Sequence, residues 1–152
     1  MGTGKTSVGK VLSKKLGRPL VDIDQHIEQS HKRKIADIFE KEGELYFRSL
    51  EKDAIRWAAQ QEGLVITTGG GAVLDAENRE NLKRDSHVVA LLAKPETVFK
   101  RVKNSRKRPL LNKPDMLAEI KKLMIARQPY YQEAHFCFES DGKTSTQLGM
   151  KF

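Results

Sequence analysis

The chain has 152 residues, 28 Lys+Arg against 20 Asp+Glu, and a formal net charge of +8. That length suits one domain, burying roughly 68–70% of the surface its unfolded chain exposes. With 38% hydrophobic and 32% charged residues, it is too apolar for a disordered tail. Its longest apolar run, residues 88–93, is far short of the ~20 a spanning helix needs. In chain order, Lys5–Leu16 reads as an amphipathic helix stopped by Gly17. Residues 19–24 read as a short strand ending in acids, and residues 35–61 as mostly helical with a break at Gly43. Residues 64–68 form a β-branched, buried strand that runs into Gly69-Gly70-Gly71. Helix over 78–84, strand over 87–92 and helix over 95–103 follow. Residues 104–115, basic and punctuated by Pro109 and Pro114, read as a mobile loop. Met116–Tyr131 is helical and Phe136–Glu139 is a last strand, before a polar tail. Strands alternate with helices throughout, which argues for an α/β sandwich around a mostly parallel sheet.

The clearest chemical signal is Gly2-Thr3-Gly4-Lys5-Thr6-Ser7 at the start of the first helix. It is the second half of the phosphate-loop pattern Gly-x-x-x-x-Gly-Lys-Ser/Thr. Glycines let backbone N–H groups turn toward phosphates, and the helix N-terminus adds its positive end. Lys5 would reach the β- and γ-phosphates, and the Thr6 hydroxyl would ligate Mg²⁺. The pattern's first glycine would fall two residues before Met1, so the first half of the loop and the strand before it are expected to be missing.

Asp22 and Asp24 alternate on the expected strand and would face one side. They suit a water-mediated Mg²⁺ contact and a substrate hydroxyl, or else a pair of solvated acids. Arg48 has Glu44 and Glu51 at helical spacing. That is either a pair of surface ion pairs, worth ~0.3–0.5 kcal/mol each, or an arginine held rigid to clamp an anion. Three glycines after a buried strand mark a tight turn, or a close approach of ligand to bare backbone.

Taken in order, six features resemble the shikimate kinase family. They are Gly-x-Gly-Lys-Thr, Asp-Ile-Asp, Ile-Phe…Gly-Glu…Phe-Arg-x-x-Glu, Gly-Gly-Gly, Arg-Pro-Leu-Leu and Arg-x-Pro-Tyr-Tyr. The resemblance covers nearly all of the chain to about Gly142. It implies a three-layer α/β/α P-loop kinase fold, here without its central first strand, as one domain over 1–152 with a lid at about 104–115. It implies transfer of phosphate from ATP to the 3-hydroxyl of shikimate in aromatic amino acid biosynthesis.

By the same resemblance, Lys5 binds phosphate, and Thr6 and Asp22 serve Mg²⁺. Asp24 engages the reacting hydroxyl and acts as base. Arg48 and Arg127 grip the shikimate carboxylate beside Gly69, Gly70 and Gly71. Arg108 is the lid arginine over the transferring phosphoryl group, and Arg101 packs on adenine. The site residues for ATP are then Gly2, Thr3, Gly4, Lys5, Thr6, Ser7, Arg101 and Arg108. The alternatives are a kinase of another hydroxy acid such as gluconate, or a truncated copy that only binds.

Both substrates are anions, which gives the positive charge a use. No nucleic-acid-binding motif and no membrane segment is read, and a cytoplasmic monomer is expected. The single cysteine, Cys137, suits a reducing compartment and reads as a small core residue. His26 and His31 read as surface residues, Trp57 as core, and Tyr130-Tyr131 as packing.

Overall fold

In the computed structural model, the residues described are 1–105, 109–111 and 113–152. The elements run in the order α1 Lys5–Leu16, β1 Leu20–Asp22, α2 Ile23–His31, α3 Ile35–Ala59, β2 Val65–Thr67, α4 Ala76–Arg84, β3 Val89–Leu92, α5 Pro95–Val102, α6 Met116–Tyr131, β4 Phe136–Glu139 and α7 Ser145–Gly149. Single 3-10 turns occupy Ala72–Leu74 and Pro109–Leu111.

The expected boundaries of α1, α6 and β4 agree to the residue. Helix α1 is bracketed by glycines in the left-handed region, Gly4 at φ 92° and Gly17 at φ 62°. The Gly17 end closes with N–H bonds back to the Ser13 and Lys14 carbonyls. Gly43, at φ 84° and ψ 174°, breaks α3 into two helical segments as the sequence suggests.

The strand expected over 19–24 is cut short at Asp22. Its carboxylate accepts the Gln25 N–H at 3.1 Å and caps α2. An Asp followed three residues later by Gln is a capping pattern, and the cap outweighs the β-branched run. Asp24 therefore sits in the first turn of a helix, not beside Asp22 on a strand face.

All strand pairing is parallel. β1 pairs with β2 in the register Leu20↔Val65, Val21↔Ile66 and Asp22↔Thr67. β3 pairs with β4 from Val89↔Phe136 to Leu92↔Glu139. Among the described residues these are two separate pairs, parallel as expected.

Three buried clusters hold the elements. The largest joins Ile23, Ile27, Ile38, Phe47, Ala54, Ile55, Ala58 and Ala72. Its four isoleucines are 0–1% exposed, and each such side chain stabilises by about 1.5–3 kcal/mol. A second cluster contains Val98, Val102, Leu111 and Ile120. Leu111 thus anchors part of the expected lid, while residues 106–108 and 112 of that segment, Arg108 included, lie outside the described residues. The third gathers Val8, Leu91 and Leu148.

The polar tail is not irregular. Thr144 and Gln147 form a reciprocal capping box that starts α7. Gly149 lets α7 approach α1, since a Cβ there would stand 2.5 Å from a Val11 methyl. Lys15 also donates to the Phe152 carbonyl at 2.9 Å. Among the described residues, no helix is long and apolar enough to cross a membrane.

Candidate active site

The phosphate loop is built by the backbone. Gly2 and Gly4 both take positive φ, 62° and 92°, which turns the chain tightly into α1. Gly2 also packs against α5: a Cβ there would lie 2.9 Å from a Val102 methyl. Thr3 is buried, Ser7 lies exposed in the first turn of α1, and Lys5 Nζ reaches the Thr3 hydroxyl at 3.5 Å.

Asp22 Oδ2 accepts two hydroxyls, Thr6 Oγ1 at 2.8 Å and Thr67 Oγ1 at 2.9 Å. This joins the helix start to the ends of two paired strands. The group is made of hard oxygen donors and fits Mg²⁺ rather than a soft metal. Among the described residues, no three His, Cys, Asp or Glu form a metal cage. The donor set therefore suits an ion that completes its shell with phosphate oxygens and water.

Arg101 grips the loop from outside. It donates to the Gly2 carbonyl at 3.0 Å, and to the Ser140 hydroxyl and carbonyl at 3.4 and 3.3 Å.

The Gly69-Gly70-Gly71 turn is where the charged residues meet. Each glycine leaves room for a different polar group. A Cβ at Gly69 would lie 3.3 Å from Glu51 Oε2 and 3.4 Å from Asp24 Oδ1. At Gly70 it would meet the Met1 nitrogen at 3.0 Å, with Arg127 Nη1 and the Tyr131 hydroxyl each at 3.1 Å. At Gly71 it would collide with the Arg48 guanidinium. Asp24, Arg48 and Arg127 come from α2, α3 and α6, so the turn is what brings them together. The Met1 contact sets the turn beside the entry to the phosphate loop.

Arg48 is paired with both acids, as either sequence reading expects. Nη1 bonds Glu51 Oε1 at 2.8 Å, and Nε and Nη2 bond Glu44 at 3.3 and 3.2 Å. The two acids are not equivalent, since the Glu51 side chain is 1% exposed and that of Glu44 is 46%. Burial raises the proton affinity of Glu51, and Arg48 pulls it only partly back. Burial by itself would lower Arg48, but the charges and hydrogen bonds of Glu51 and then Glu44 outweigh it and raise the guanidinium. Arg127 is 4% exposed, and its Nε has no hydrogen-bond partner.

Three sequence readings are corrected. Trp57 is not core: it is 41% exposed and stacks on His26 with ring centroids 4.3 Å apart. Cys137 is exposed rather than buried, because β4 turns most of its side chains to solvent. Tyr131 is more than packing, since its hydroxyl donates to the Gly70 carbonyl at 2.6 Å. Its position four residues after Arg127 on one helix is a signal that spacing could have supplied.

A glycine-turned phosphate loop, a hydroxyl–carboxylate cluster of hard oxygen donors and two arginines brought to one glycine turn fit a phosphate-loop phosphotransferase of α/β fold. Known proteins agree. The sequence profile described as Shikimate kinase matches residues 1–151. A shikimate kinase of Thermodesulfovibrio yellowstonii is 42% identical over 151 residues, which are 99% of this chain and 87% of that protein. One of Symbiobacterium thermophilum is 47% identical over 136 residues, 88% of this chain and 78% of that protein. Among solved structures, shikimate kinase from Acinetobacter baumannii in complex with shikimate superposes with a TM-score of 0.97 at 38% identity, covering 99% of this chain and 85% of that one. The chain belongs to the shikimate kinase family.

Proposed function

We propose that this chain transfers the γ-phosphoryl group of ATP to the 3-hydroxyl of shikimate, as a cytoplasmic monomer. The observation that carries the reading is the convergence of Asp24, Arg48 and Arg127 on the glycine turn beside the phosphate loop. Two arginines suit a carboxylate, because their planar donors match it in a way an ammonium does not. In this reading Asp24, against Gly69, orients a ring hydroxyl and accepts its proton. Lys5 and the N–H groups of residues 2–7 hold the phosphates. Thr6 and Asp22 hold Mg²⁺, which supplies charge neutralisation on the phosphates when bound. Arg101 steadies the loop through Gly2 and presents its exposed face to adenine. Arg108, which lies outside the described residues, is assigned by family resemblance alone to the charge on the transferring group. Phosphoryl transfer needs this positioning and charge complementarity more than covalent help.

The test is ADP release that requires both shikimate and Mg²⁺. ATP turnover indifferent to shikimate overturns the reading, and a preference for gluconate moves the chain to another hydroxy acid.

Among the described residues the strand pairs β1-β2 and β3-β4 are separate. We propose that a fifth parallel strand belongs between β2 and β3, joining the two pairs into the central sheet of a three-layer α/β/α fold. The Met1 nitrogen lies against Gly70, just past the end of β2, where such a strand would lead into the phosphate loop. Joining an apolar strand ending in Gly-x ahead of Met1 is expected to raise the thermal midpoint and the ATP affinity. If neither moves, the strand assignment fails.

A further inference from the structure

The two arginines are held in opposite ways. Arg48 is ion-paired to Glu44 and Glu51. Arg127 is more deeply buried, yet among the described residues it makes no ion pair. Glu51 acts on Arg127 only through space, and a buried guanidinium with no carboxylate in direct contact is costly unless something else fixes it or an anion arrives. The group beside it is a neutral phenol. Tyr131 lies one turn further along α6, and its oxygen and Arg127 Nη1 lie equally near the space above Gly70. Burial raises the Tyr131 phenol, and the Arg127 charge only partly offsets this, so the hydroxyl keeps its proton and donates it to the Gly70 carbonyl.

We propose that Tyr131 is a positioning residue that sets the substrate's carboxylate against Arg127. It acts at two points. It braces the guanidinium without neutralising it, which leaves the positive charge open to an incoming anion. It also pins the carbonyl of the Gly70–Gly71 peptide. Because that peptide is planar, the Gly71 N–H is turned the opposite way, and the turn that supports Arg48 is fixed by the same bond. A neutral hydroxyl suits this task, since a carboxylate at 131 would compete with the substrate for Arg127. The inference rests on the kinase reading for the identity of the carboxylate.

The experiment compares wild type with Tyr131→Phe, which keeps the ring and removes the hydroxyl. Two acceptors are used, shikimate and its analogue lacking the carboxylate. For shikimate, kcat/KM is expected to fall about ten-fold, the effect of one hydrogen bond that orients a charged group. The KM for ATP stays within about two-fold. Discrimination between shikimate and the analogue shrinks by the same factor, which a merely structural role would not produce. In an Arg127→Ala background the Tyr131→Phe change costs less than it does in wild type, because only its effect through the Gly70–Gly71 turn remains. Equal losses on both acceptors, additive losses in the double variant, or no loss overturn the inference. Calorimetric titration with shikimate repeats the comparison without turnover, and circular dichroism with a melting curve checks each variant's fold. The kinase reading fails separately, as wild type without shikimate-dependent ADP release.

Discussion

Two neighbouring stretches of α3 carry ion pairs built from acids and bases, and they behave as different materials. In one, Arg48 binds Glu51 at 2.8 Å, with Glu51 almost wholly out of water against Asp24 and Gly69. In the next, Lys52 and Arg56 bind Asp53, Asp75 and Glu77 at 2.5–3.3 Å, with every partner 32% exposed or more. The exposed lattice ties α3 to α4 in water, where screening leaves such pairs with little net effect on stability. In the other pair Glu51 has lost its water and Arg48 most of its own, and Glu51 Oε2 has no hydrogen-bond partner. The distances are alike, so burial is what separates a surface tie from a site that holds charge ready for a ligand.

Truncation should separate the two stretches most. Glu51→Ala leaves Arg48 half-paired in a buried position and is expected to cost about 3 kcal/mol in denaturant unfolding. Glu77→Ala should leave the unfolding midpoint nearly unchanged, and equal losses would erase the distinction. Arg127→Ala comes next. It is expected to lower kcat/KM for shikimate about a hundred-fold while ATP binding, followed by nucleotide titration, persists. Gly71→Ala tests the turn itself: its methyl must displace the Arg48 guanidinium. Shikimate affinity should drop about ten-fold, with a melting temperature that changes little.

The smallest effect is in pH. Burial lifts Glu51 above its ordinary 4.5, so the fold favours its protonated form. That contribution is full below pH 4.5 and is lost as pH rises through the folded value. Glu77 is held below 4.5 by hydrogen bonds from Lys52 and then Arg56. Its contribution is present above pH 4.5 and is lost as pH falls through the folded value. Glu51→Gln should therefore gain on wild type from pH 4 to pH 7, and Glu77→Gln should close its gap to wild type below pH 4. Chemical denaturation across that range reads both, and slopes of the same sign would contradict the assignment.

Much of this was legible from spacing. The glycines flanking α1, the break at Gly43, the apolar periodicity of α6 and the run of β4 are local signals, and the structure follows them. Where expectation failed, a competing interaction is visible. The Asp22–Gln25 cap ends β1 two residues early and moves Asp24 onto a helix. The Thr144–Gln147 box makes a helix of a polar tail. Trp57 finds its partner in His26 on a neighbouring helix, a pairing 31 positions apart that no period announces.

By itself the sequence determined the order of elements, the phosphate loop and the identity of the charged residues, because backbone conformation and capping depend on near neighbours. Only the tertiary structure decided which charges lose water. Glu51 and Glu77 are the same residue type, one on α3 and one on α4, and Tyr130 and Tyr131 are adjacent. Yet Tyr130 lies under Arg79 at 4.5 Å while Tyr131 reaches Gly70. The physical reason is that desolvation depends on what packs from distant segments, here three bare glycines that let α2, α3 and α6 bring their charges to one turn.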